Sequence, residues 1–461
     1  MRKPVTSTSS TKPAGRPLRI GAGAGFSGDR IEPAAELAVQ GALDYLVFEC
    51  LAERTTADAQ MRRQADPDEG YDPFLDARMR AVLAACHRNG TRIVSNMGAA
   101  NPAAAARRVA VIARELGLPP RKIAIVTGDD VLDACRDRNI ALDTGIDIGA
   151  LGDRVISANA YLGAAPIAGA LAAGADVVIT GRVSDPALFL GPLIHEFGWS
   201  IDDWDRLGQG TLIGHLLECA GQICGGYFAD PGVKDVPGMA TLGFPYAEIM
   251  PDGSAEITKL SGTGGRIDAA TVKEQILYEI HDPSRYLQPD VTADFSRVRV
   301  TETGHDRVRI EGASGSPRTG MLKVSVSYRN GFIGEGQISY GGSGAVARGR
   351  LAADILRHRL ASVSGLEGIR FDLIGLDSLH GPVLSSTGGE PYEVRLRAVG
   401  RAADAESAAR IGQEVEALYT NGPAGGGGAV KSLRAGIGLA SALIDENVAT
   451  PGFTLLENTA A

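Results

Sequence analysis

Two closely spaced pairs of titratable residues in this chain suit proton transfer. Asp129 and Asp130 are adjacent at the end of the apolar run RKIAIVTG. Such neighbouring carboxylates can hold a cation or act as a general base. His215 and Glu218 lie three residues apart in an expected helix, share one face, and can form an acid–base couple. The alternatives are that Asp130 caps the following helix and that His215 is an ordinary buried histidine.

A third candidate segment is GRVSDPALFLGP, residues 181–192. The guanidinium of Arg182 can bind a carboxylate or phosphate, and Asp185 can serve as its partner or as a base. Asp185 followed by Pro186 is equally typical of a helix start. The chain has seven histidines but no second closely spaced pair of metal ligands, so we expect no metal site.

The first expected turn contains a formal G-x-G-x-x-G pattern, Gly23–Gly28, and Glu49 ends the next apolar run. This arrangement leaves a dinucleotide site open, and with it an NAD(P)-dependent oxidoreductase. Asp29 and Glu32 follow at once, however, and their charges oppose a pyrophosphate at a helix N-terminus. A different small-molecule ligand, or a purely structural turn, is therefore favoured. The residues expected to contact a substrate here are Gly25, Ser27, Gly28 and Glu49.

A glycine run, NGPAGGGG at residues 421–428, follows an expected helix. Its backbone N–H groups can receive an anion such as a phosphate or thioester oxygen. The run lacks the Lys-Ser/Thr ending of a nucleotide-binding P-loop, and a flexible linker is the alternative. Asn421, Gly425 and Gly426 are therefore candidates for substrate binding.

Six apolar runs within the first 185 residues must position these side chains. Each ends in glycine or polar residues, and helix-like stretches separate most of them. Strands that alternate with helices predict a parallel sheet covered on both faces, and ligands bind at the carboxyl ends of its strands. We therefore expect one shared edge to hold five polar residues, which are Glu49, Asn96, Asp129, Asn159 and Arg182. The runs are residues 18–29, 44–50, 91–102, 121–130, 154–161 and 175–185.

The predicted fold class is α/β, with a largely parallel Rossmann-like sheet in the N-terminal half. A mixed α/β portion with antiparallel hairpins follows, and the Asn330-Gly331 pair between two alternating runs is a hairpin signal. The expected segments are a disordered tail (1–17), an α/β ligand-binding region (18–204), a strand-rich insertion or second subdomain (205–345) and an α/β C-terminal portion (346–461).

Composition limits the class of protein. The net charge of −9 over 461 residues disfavours a nucleic-acid partner or an anionic membrane surface. No apolar run reaches the roughly 18 residues of a membrane span, and the basic N-terminus lacks the apolar core of a secretory signal. Five scattered cysteines are typical of reduced thiols. We expect a cytoplasmic protein that forms a homo-oligomer.

Seven segments, in order along the chain, resemble the acyclic terpene utilisation protein A family. The resemblance covers residues 18–440, and many relatives carry an additional C-terminal ferredoxin-like domain. It therefore implies a separate small protein of ferredoxin-like fold as a possible partner. The segments are GAGAGFSGDRIEPAAELA, LVFECLAERT, SNMGAANP, IVTGDD, TGRVSDPALFLGP, GHLLECAGQICGGYFAD and NGPAGGGG.

The family name refers to the degradation of citronellol and geraniol through acyl-CoA intermediates. The resemblance thus implies an acyl-CoA substrate, with CoA as part of the substrate and no further cofactor. Our hypothesis is an acyl-CoA-processing enzyme of branched or terpenoid carboxylic acid catabolism. It would be a lyase for hydration, dehydration or C–C cleavage of an enoyl- or 3-hydroxyacyl-CoA.

In this hypothesis Asp129 or Asp185 is the base and His215 or Glu218 the acid, while Arg182 and the glycine turns bind anionic groups. Two alternatives stay open beside it. One is the NAD(P)-dependent oxidoreductase, and the other is a non-catalytic scaffold that binds acyl-CoA and presents it to the small partner.

Overall fold

A computed structural model describes residues 16–385 and 389–456 of the chain. Most of the tail predicted at residues 1–17 lies outside the described residues. Of its two described residues, Arg16 contacts the folded chain, since its Nη2 donates to the Ala42 carbonyl oxygen at 3.2 Å.

The described chain alternates strands and helices along most of its length. The strands are β1 (Leu18–Ala24), β2 (Tyr45–Phe48), β3 (Arg92–Ser95), β4 (Ile123–Thr127), β5 (Val155–Ala160), β6 (Val177–Thr180), β7 (Pro245–Ile249), β8 (Ala255–Lys259), β9 (Tyr286–Leu287), β10 (Thr292–Asp294), β11 (Arg299–Gly304), β12 (Arg307–Glu311), β13 (Ser314–Ser316), β14 (Met321–Gly341), β15 (Leu366–Ile374), β16 (Glu393–Ala402), β17 (Gly427–Asp445) and β18 (Gly452–Leu455). The α-helices are α1 (Glu32–Gln40), α2 (Glu53–Ala65), α3 (Leu75–Asn89), α4 (Pro102–Glu115), α5 (Leu132–Asp137), α6 (Ala165–Ala172), α7 (Ala187–Phe197), α8 (Trp204–Glu218), α9 (Ala269–Leu277), α10 (Ala345–Leu360), α11 (Gly381–Leu384) and α12 (Ala405–Asn421).

Contacts along the chain divide it into two compact units. The first unit comprises the described residues of 1–150, 157–326 and 440–461, and the second comprises 151–156 and the described residues of 327–439. The sequence-based division at residues 204 and 345 stays a prediction. Throughout the described part of both units, no helix combines the length and the apolar character needed to cross a bilayer.

A ten-stranded mixed sheet has the order β11-β12-β8-β7-β1-β2-β3-β6-β4-β18. Its five central strands, β1-β2-β3-β6-β4, are parallel, and the strands on either side of them pair antiparallel. The α/β class and the parallel N-terminal strands are therefore confirmed, within a larger mixed sheet. The central order is not the 3-2-1-4-5-6 order of a dinucleotide-binding sheet, so the Rossmann-like arrangement is not confirmed.

The central strands are short and apolar on both faces, as parallel strands covered by helices must be. All four residues of β2 and all four of β6 are buried. Helix α3 packs against α1 and α4. Asn101 starts α4, because its side-chain oxygen accepts from the Ala104 N–H at 3.3 Å and Pro102 occupies the first turn.

Strand β5 does not lie in the parallel sheet, contrary to the sequence prediction for residues 154–161. It pairs with β14 beside the path of the smaller sheet. An antiparallel bridge between Asp130 and Asn159 ties it to the end of β4. The reason is that an apolar run specifies a strand but not its partner, and β14 is supplied by residues more than 150 positions away.

The second unit has its own hydrophobic core. Its sheet order is β15-β16-β14-β17, and helices α10 and α12 pack on β16. Ile338, Leu356, Leu396 and Val415 are fully buried in this core. Helices α10 and α12 and strand β16 thus provide the α/β structure that the sequence predicts for the portion from residue 346 onward.

The hairpin predicted at Asn330-Gly331 is wrong, because β14 continues through this pair as one 21-residue strand. A two-residue type I′ turn needs positive φ at both central residues. Gly331 has φ +66°, whereas Asn330 is not in the left-handed region. Antiparallel hairpins do occur elsewhere in the described chain, in the β7–β8 and β11–β12 pairs.

We expect Gly331→Ala to lower the free energy of unfolding by about 3 kcal/mol, because a Cβ there would collide with the Ala402 carbonyl oxygen in a backbone conformation that favours glycine. Gly341 on the same strand is the matched control, since a Cβ there meets open space. Gly341→Ala should leave stability unchanged or raise it by up to about 1 kcal/mol. Urea unfolding of both variants is the measurement, and equal effects would contradict the account.

Candidate functional site

A cavity of about 760 Å³ lies in the first unit, at the carboxyl ends of its parallel strands. Its wall includes residues 25–27 after β1, residues 49–53 after β2, and residues 182 and 184–186 after β6. The size is ordinary for a small-molecule site. Other parts of the first unit complete the wall, among them Tyr161, Glu218, Cys219, Tyr278, Glu279, Tyr286 and Lys323.

The guanidinium of Arg182 is 1 % exposed and forms the floor of this cavity. Nε donates to the Val183 carbonyl oxygen at 2.8 Å, Nη1 donates to the Leu51 carbonyl oxygen, and Nη2 forms an ion pair with Asp185. The Tyr161 ring centroid lies 4.5 Å from Cζ. Arg182 therefore uses most of its donors on protein groups. Its guanidinium joins the segments after β2 and β6 and does not present a free pair of N–H donors to a substrate anion.

Asp129 does not line the cavity but stands behind Arg182. Its Oδ2 accepts from the Arg182 backbone N–H at 3.0 Å and from Asn159 Nδ2 at 2.9 Å. Burial raises the pKa of this carboxyl to about 6. The base role expected for Asp129 is not supported by this position, since a general base must reach the substrate. Asp130 is exposed, and its Oδ1 accepts from the Leu132 N–H at 3.3 Å. The N-cap residue of α5 is Val131 and not Asp130.

Glu49 lines the cavity and is held by its neighbours through one oxygen. Oε1 accepts from the Leu51 N–H at 2.8 Å and from Asn96 Nδ2 at 2.9 Å, while Asn96 Oδ1 accepts from the Cys50 N–H. Burial, and then the charge of Asp185, raise the pKa of Glu49 well above its ordinary value. Burial and the Asp185 charge therefore favour the neutral acid of Glu49, against the charge of Arg182 and the two hydrogen bonds to Oε1. Because Oε1 accepts twice, Oε2 is the oxygen that would carry the proton of that acid.

Four of the five residues expected at one sheet edge thus form two hydrogen-bonded pairs there. Hydrogen bonds link Asn96 to Glu49 and Asp129 to Arg182, and the Arg182 side chain reaches the segment after Glu49. The prediction of a shared edge is confirmed for these four. Asn159 joins them through Asp129 but from β5, outside the parallel sheet.

His215 and Glu218 face each other on α8, as the three-residue spacing predicts. Nε2 of His215 donates to the Gln275 carbonyl oxygen at 2.9 Å, and a carbonyl oxygen can only accept. Burial lowers the pKa of His215 to about 4, so the ring is neutral and its Nδ1 bears a lone pair. Glu218 Oε1 lies 2.8 Å from this Nδ1. The proton in that hydrogen bond must therefore come from Glu218.

Glu218 is accordingly a carboxylic acid that donates to Nδ1 of His215. Burial, and then the charges of Asp185 and Glu279, raise its pKa well above the ordinary value. Its second oxygen, Oε2, is buried and has no protein partner. Glu218 lines the cavity, whereas His215 lies behind it. His215 thus acts through Glu218 and is a positioning residue.

The first turn is built for close packing and not for a dinucleotide. Oδ2 of Asp29 accepts from the Gly25 N–H at 2.9 Å, so the donor that a pyrophosphate would use is taken. A Cβ on Gly23 would lie 2.6 Å from the Phe48 ring, and one on Gly25 would lie 2.5 Å from the Cys219 backbone. These contacts disfavour the dinucleotide alternative. Gly25 and Ser27 line the cavity, whereas Gly28 is exposed and does not.

Sequence reasoning missed Arg78, which fixes this turn from α3. The fully buried guanidinium donates through Nη2 to the carbonyl oxygens of Phe26, Ser27 and Asp29, at 3.3, 2.7 and 3.2 Å. Nη1 pairs with Asp72 at 3.3 Å. Arg78 lies three residues after Leu75 and four before Val82, on the apolar face of α3, and this helical spacing is the sequence signal that could have identified it.

A second missed cluster joins Glu53, Tyr161 and Lys323 at the cavity wall. Glu53 Oε1 accepts from the Tyr161 hydroxyl at 2.8 Å and from Lys323 Nζ at 2.9 Å. Burial raises the pKa of Glu53, but these hydrogen bonds outweigh it and lower the pKa to about 2. Glu53 is thus a permanent carboxylate, in contrast to Glu49 and Glu218.

The glycine run lies in the second unit, where its carbonyl groups bind arginines. Arg359 Nη2 donates to the Asn421 carbonyl oxygen at 3.0 Å, and Arg348 Nη1 donates to that of Ala424 at 2.9 Å. Gly425 has φ +73° and Gly426 packs near Tyr340. Substrate binding by Asn421, Gly425 and Gly426 stays a prediction. Across residues 16–385 and 389–456, no group of three or more His, Cys, Asp and Glu side chains is placed to hold a metal ion.

Comparison with known proteins gives one finding. Residues 18–455 match the family described as acyclic terpene utilisation family protein AtuA. The chain belongs to this family. No curated protein and no solved structure matches the chain significantly. The cavity described above is therefore that of a member of the acyclic terpene utilisation family.

The raised pKa of Asp129 makes folding stability depend on pH. The folded chain holds this proton up to about pH 6, whereas the unfolded carboxyl loses it near pH 3.8. The stabilisation is complete below the lower value and is lost as pH rises through the higher one. Between about pH 3.8 and pH 6, the unfolding free energy of the natural chain should fall by about 3 kcal/mol because of this group. We expect Asp129→Asn to lack this fall. Urea unfolding across this range tests it, and parallel pH profiles for the two proteins would contradict it.

Removing the guanidinium of Arg182 should lower the stability of the folded chain, because several buried acceptor atoms lose their hydrogen-bond donor. We expect Arg182→Ala to lower the free energy of unfolding by about 3–5 kcal/mol. Arg54, which forms a surface ion pair with Asp58 at 3.6 Å, provides the control. Arg54→Ala should change stability by less than about 1 kcal/mol. A small loss for Arg182→Ala in chemical denaturation would show that Arg182 does not hold the cavity together.

Proposed function

We propose that this chain is a lyase that adds water to, or removes it from, a branched or terpenoid acyl thioester, with CoA as the thiol part. The observation that carries the proposal is the pair of buried carboxyl groups that line one cavity, Glu49 and Glu218. Oε2 of Glu218 has no protein partner while Oε1 contacts His215, and Glu49 is held through Oε1. Addition of water across a conjugated double bond needs one group to take a proton and one to give a proton.

In the hydration direction, water attacks the β-carbon of an enoyl thioester. Oε2 of Glu218 takes the proton that the water loses, while the proton on Oε1 passes to Nδ1 of His215. Glu49 delivers its Oε2 proton to the α-carbon, and the product is a 3-hydroxyacyl thioester. Dehydration runs through the same steps in reverse. The net change is one water added or released. The steps leave His215 with one extra proton and Glu49 as a carboxylate, and return of the His215 proton to Glu218, with release of one proton from Glu218 to solvent and uptake of one from solvent by Glu49, restores the starting state.

This assignment revises the roles expected from sequence. Asp129 does not line the cavity, and Asp185 forms an ion pair with Arg182. After burial, the Asp185 charge is the next cause that raises the pKa of both Glu49 and Glu218, while the Arg182 charge lowers it. Arg182 and Asp185 thus act in opposite directions on the two groups that would react.

Support for the substrate class comes from the family description and from the cavity itself. The family is named for the use of acyclic terpenes, whose acids are branched and apolar. The cavity wall combines the carboxyl groups with apolar side chains such as Phe26, Leu287 and Met321. The small ferredoxin-like partner, the homo-oligomer and the absence of a further cofactor stay predictions.

We expect Glu218→Gln and Glu49→Gln each to lower turnover of branched enoyl-CoA by about 10²–10⁴-fold. A glutamine at 218 can still donate to Nδ1 of His215, and one at 49 can still accept through its oxygen, so the fold should be kept. Asp130→Asn is the matched control, since Asp130 is exposed and does not line the cavity, and it should leave turnover within about twofold. The assay follows loss of the enoyl thioester absorbance and formation of the 3-hydroxyacyl product.

The other outcomes separate the alternatives. Reduction of NAD(P) with an acyl-CoA, in place of hydration, would establish the oxidoreductase. Binding of acyl-CoA with no turnover, or turnover only after addition of a small ferredoxin-like protein, would favour the scaffold. Cleavage into two shorter products would indicate C–C bond chemistry at the same carboxyl groups. Unchanged hydration by Glu218→Gln would reject the role given to Glu218.

A further inference from the structure

A groove of about 380 Å³ opens beside the cavity, and we call it the aromatic groove. Four residues line both spaces, namely Gly25, Phe26, Cys219 and Tyr278. The remaining apolar wall of the groove comes from Tyr227, Leu242 and Phe244. The cavity and the aromatic groove therefore adjoin along these four residues, and the cavity side contains the carboxyl groups of Glu49 and Glu218.

The aromatic side chains of this groove are unusually exposed. Phe26 is 60 % exposed and Tyr227 is 88 % exposed. Neither side chain contributes to the hydrophobic core, and adjacent exposed apolar groups mark binding surfaces in folded proteins. The charged residues of the groove are Asp29, which binds the Gly25 N–H, and Arg30, which pairs with Glu32 at 3.6 Å and donates through Nη1 to the Leu242 carbonyl oxygen at 3.5 Å.

The backbone at Tyr227 gives an independent indication. Its φ of +61° lies in the left-handed region, which glycine adopts freely and other residues adopt at a cost. Gly225, two residues earlier in the same turn, has φ +101°. A glycine at position 227 would fit the backbone better. The exposed ring of Tyr227 therefore does not offset the backbone strain by packing in the fold. Strain of this kind is characteristic of binding sites.

We propose that the aromatic groove binds the hydrocarbon tail of the acyl substrate while its reacting carbons lie in the cavity. The identity of the group in the cavity rests on the proposed function, but the affinity of the groove for a branched aliphatic chain does not. A chain that enters from the cavity passes Phe26 and Tyr278 and ends between Tyr227 and Leu242. These residues then set the preference for tail length.

The test measures binding without turnover. The probes are the N-acetylcysteamine thioesters of 3,7-dimethyloctanoic acid and of butyric acid, both saturated and therefore unable to be hydrated. Isothermal titration of the whole chain should give tighter binding of the branched ten-carbon ester by about tenfold or more. Its heat capacity change should also be the more negative, since more apolar surface is buried.

Tyr227→Gly should weaken binding of the long ester about tenfold and leave the short ester within about twofold. Its thermal midpoint should not fall, because glycine relieves the backbone at this position. Leu242→Trp, which fills the groove, should weaken the long ester in the same way. Tyr392, 81 % exposed in the second unit, is the matched control, and Tyr392→Ala should change neither affinity.

Equal affinity for the two esters, or no measurable binding of either, would overturn the proposal. So would a tail-length preference that survives both Tyr227→Gly and Leu242→Trp. Failure of the proposed function would look different. In that case the tail-length preference would respond to these variants as expected, while enoyl thioesters would not be hydrated or Glu218→Gln would be fully active.

Discussion

The buried guanidinium of Arg182 is the group around which the cavity is built. It comes from the segment after β6, donates to the carbonyl oxygen of Leu51 after β2, and pairs with Asp185. Its own backbone N–H is held by Asp129 after β4. A buried charge is stable only when its donors are satisfied, so the positions of these three segments depend on one another. The cavity wall can exist in this form only while all three are in place.

The protonation states at the cavity follow from burial. Burial removes Glu49 and Glu218 from water, the charge of Asp185 acts on both and that of Glu279 acts on Glu218 as well, so both favour the neutral acid. Glu53 on the same wall remains a carboxylate, because Lys323 and Tyr161 donate to it. One cavity thereby holds neutral and charged carboxyl groups side by side, which is the condition for directed proton transfer at neutral pH.

Sequence reasoning succeeded where the determining pattern was local. The apolar runs ending in polar residues identified the strands of the parallel sheet, and the three-residue spacing of His215 and Glu218 identified their contact on α8. It failed where partners lie far apart in the chain. The place of β5 depends on β14, and the course of β14 through Asn330 depends on φ angles that composition does not specify. The sequence also did not show which carboxylate faces the cavity. Asp129 accepts a hydrogen bond from the Arg182 N–H, and this contact depends on the folded chain.

The hydrogen bond from His215 to the Gln275 carbonyl oxygen has a consequence for how this site can change. The acceptor belongs to the main chain, so no substitution of the Gln275 side chain removes it directly. The tautomer of His215 is therefore set by the position of α9 and not by the type of residue at 275. Tyr278 and Glu279 directly follow α9 and line the cavity. A displacement of this short helix would alter the wall of the cavity and the proton on His215 in a single movement.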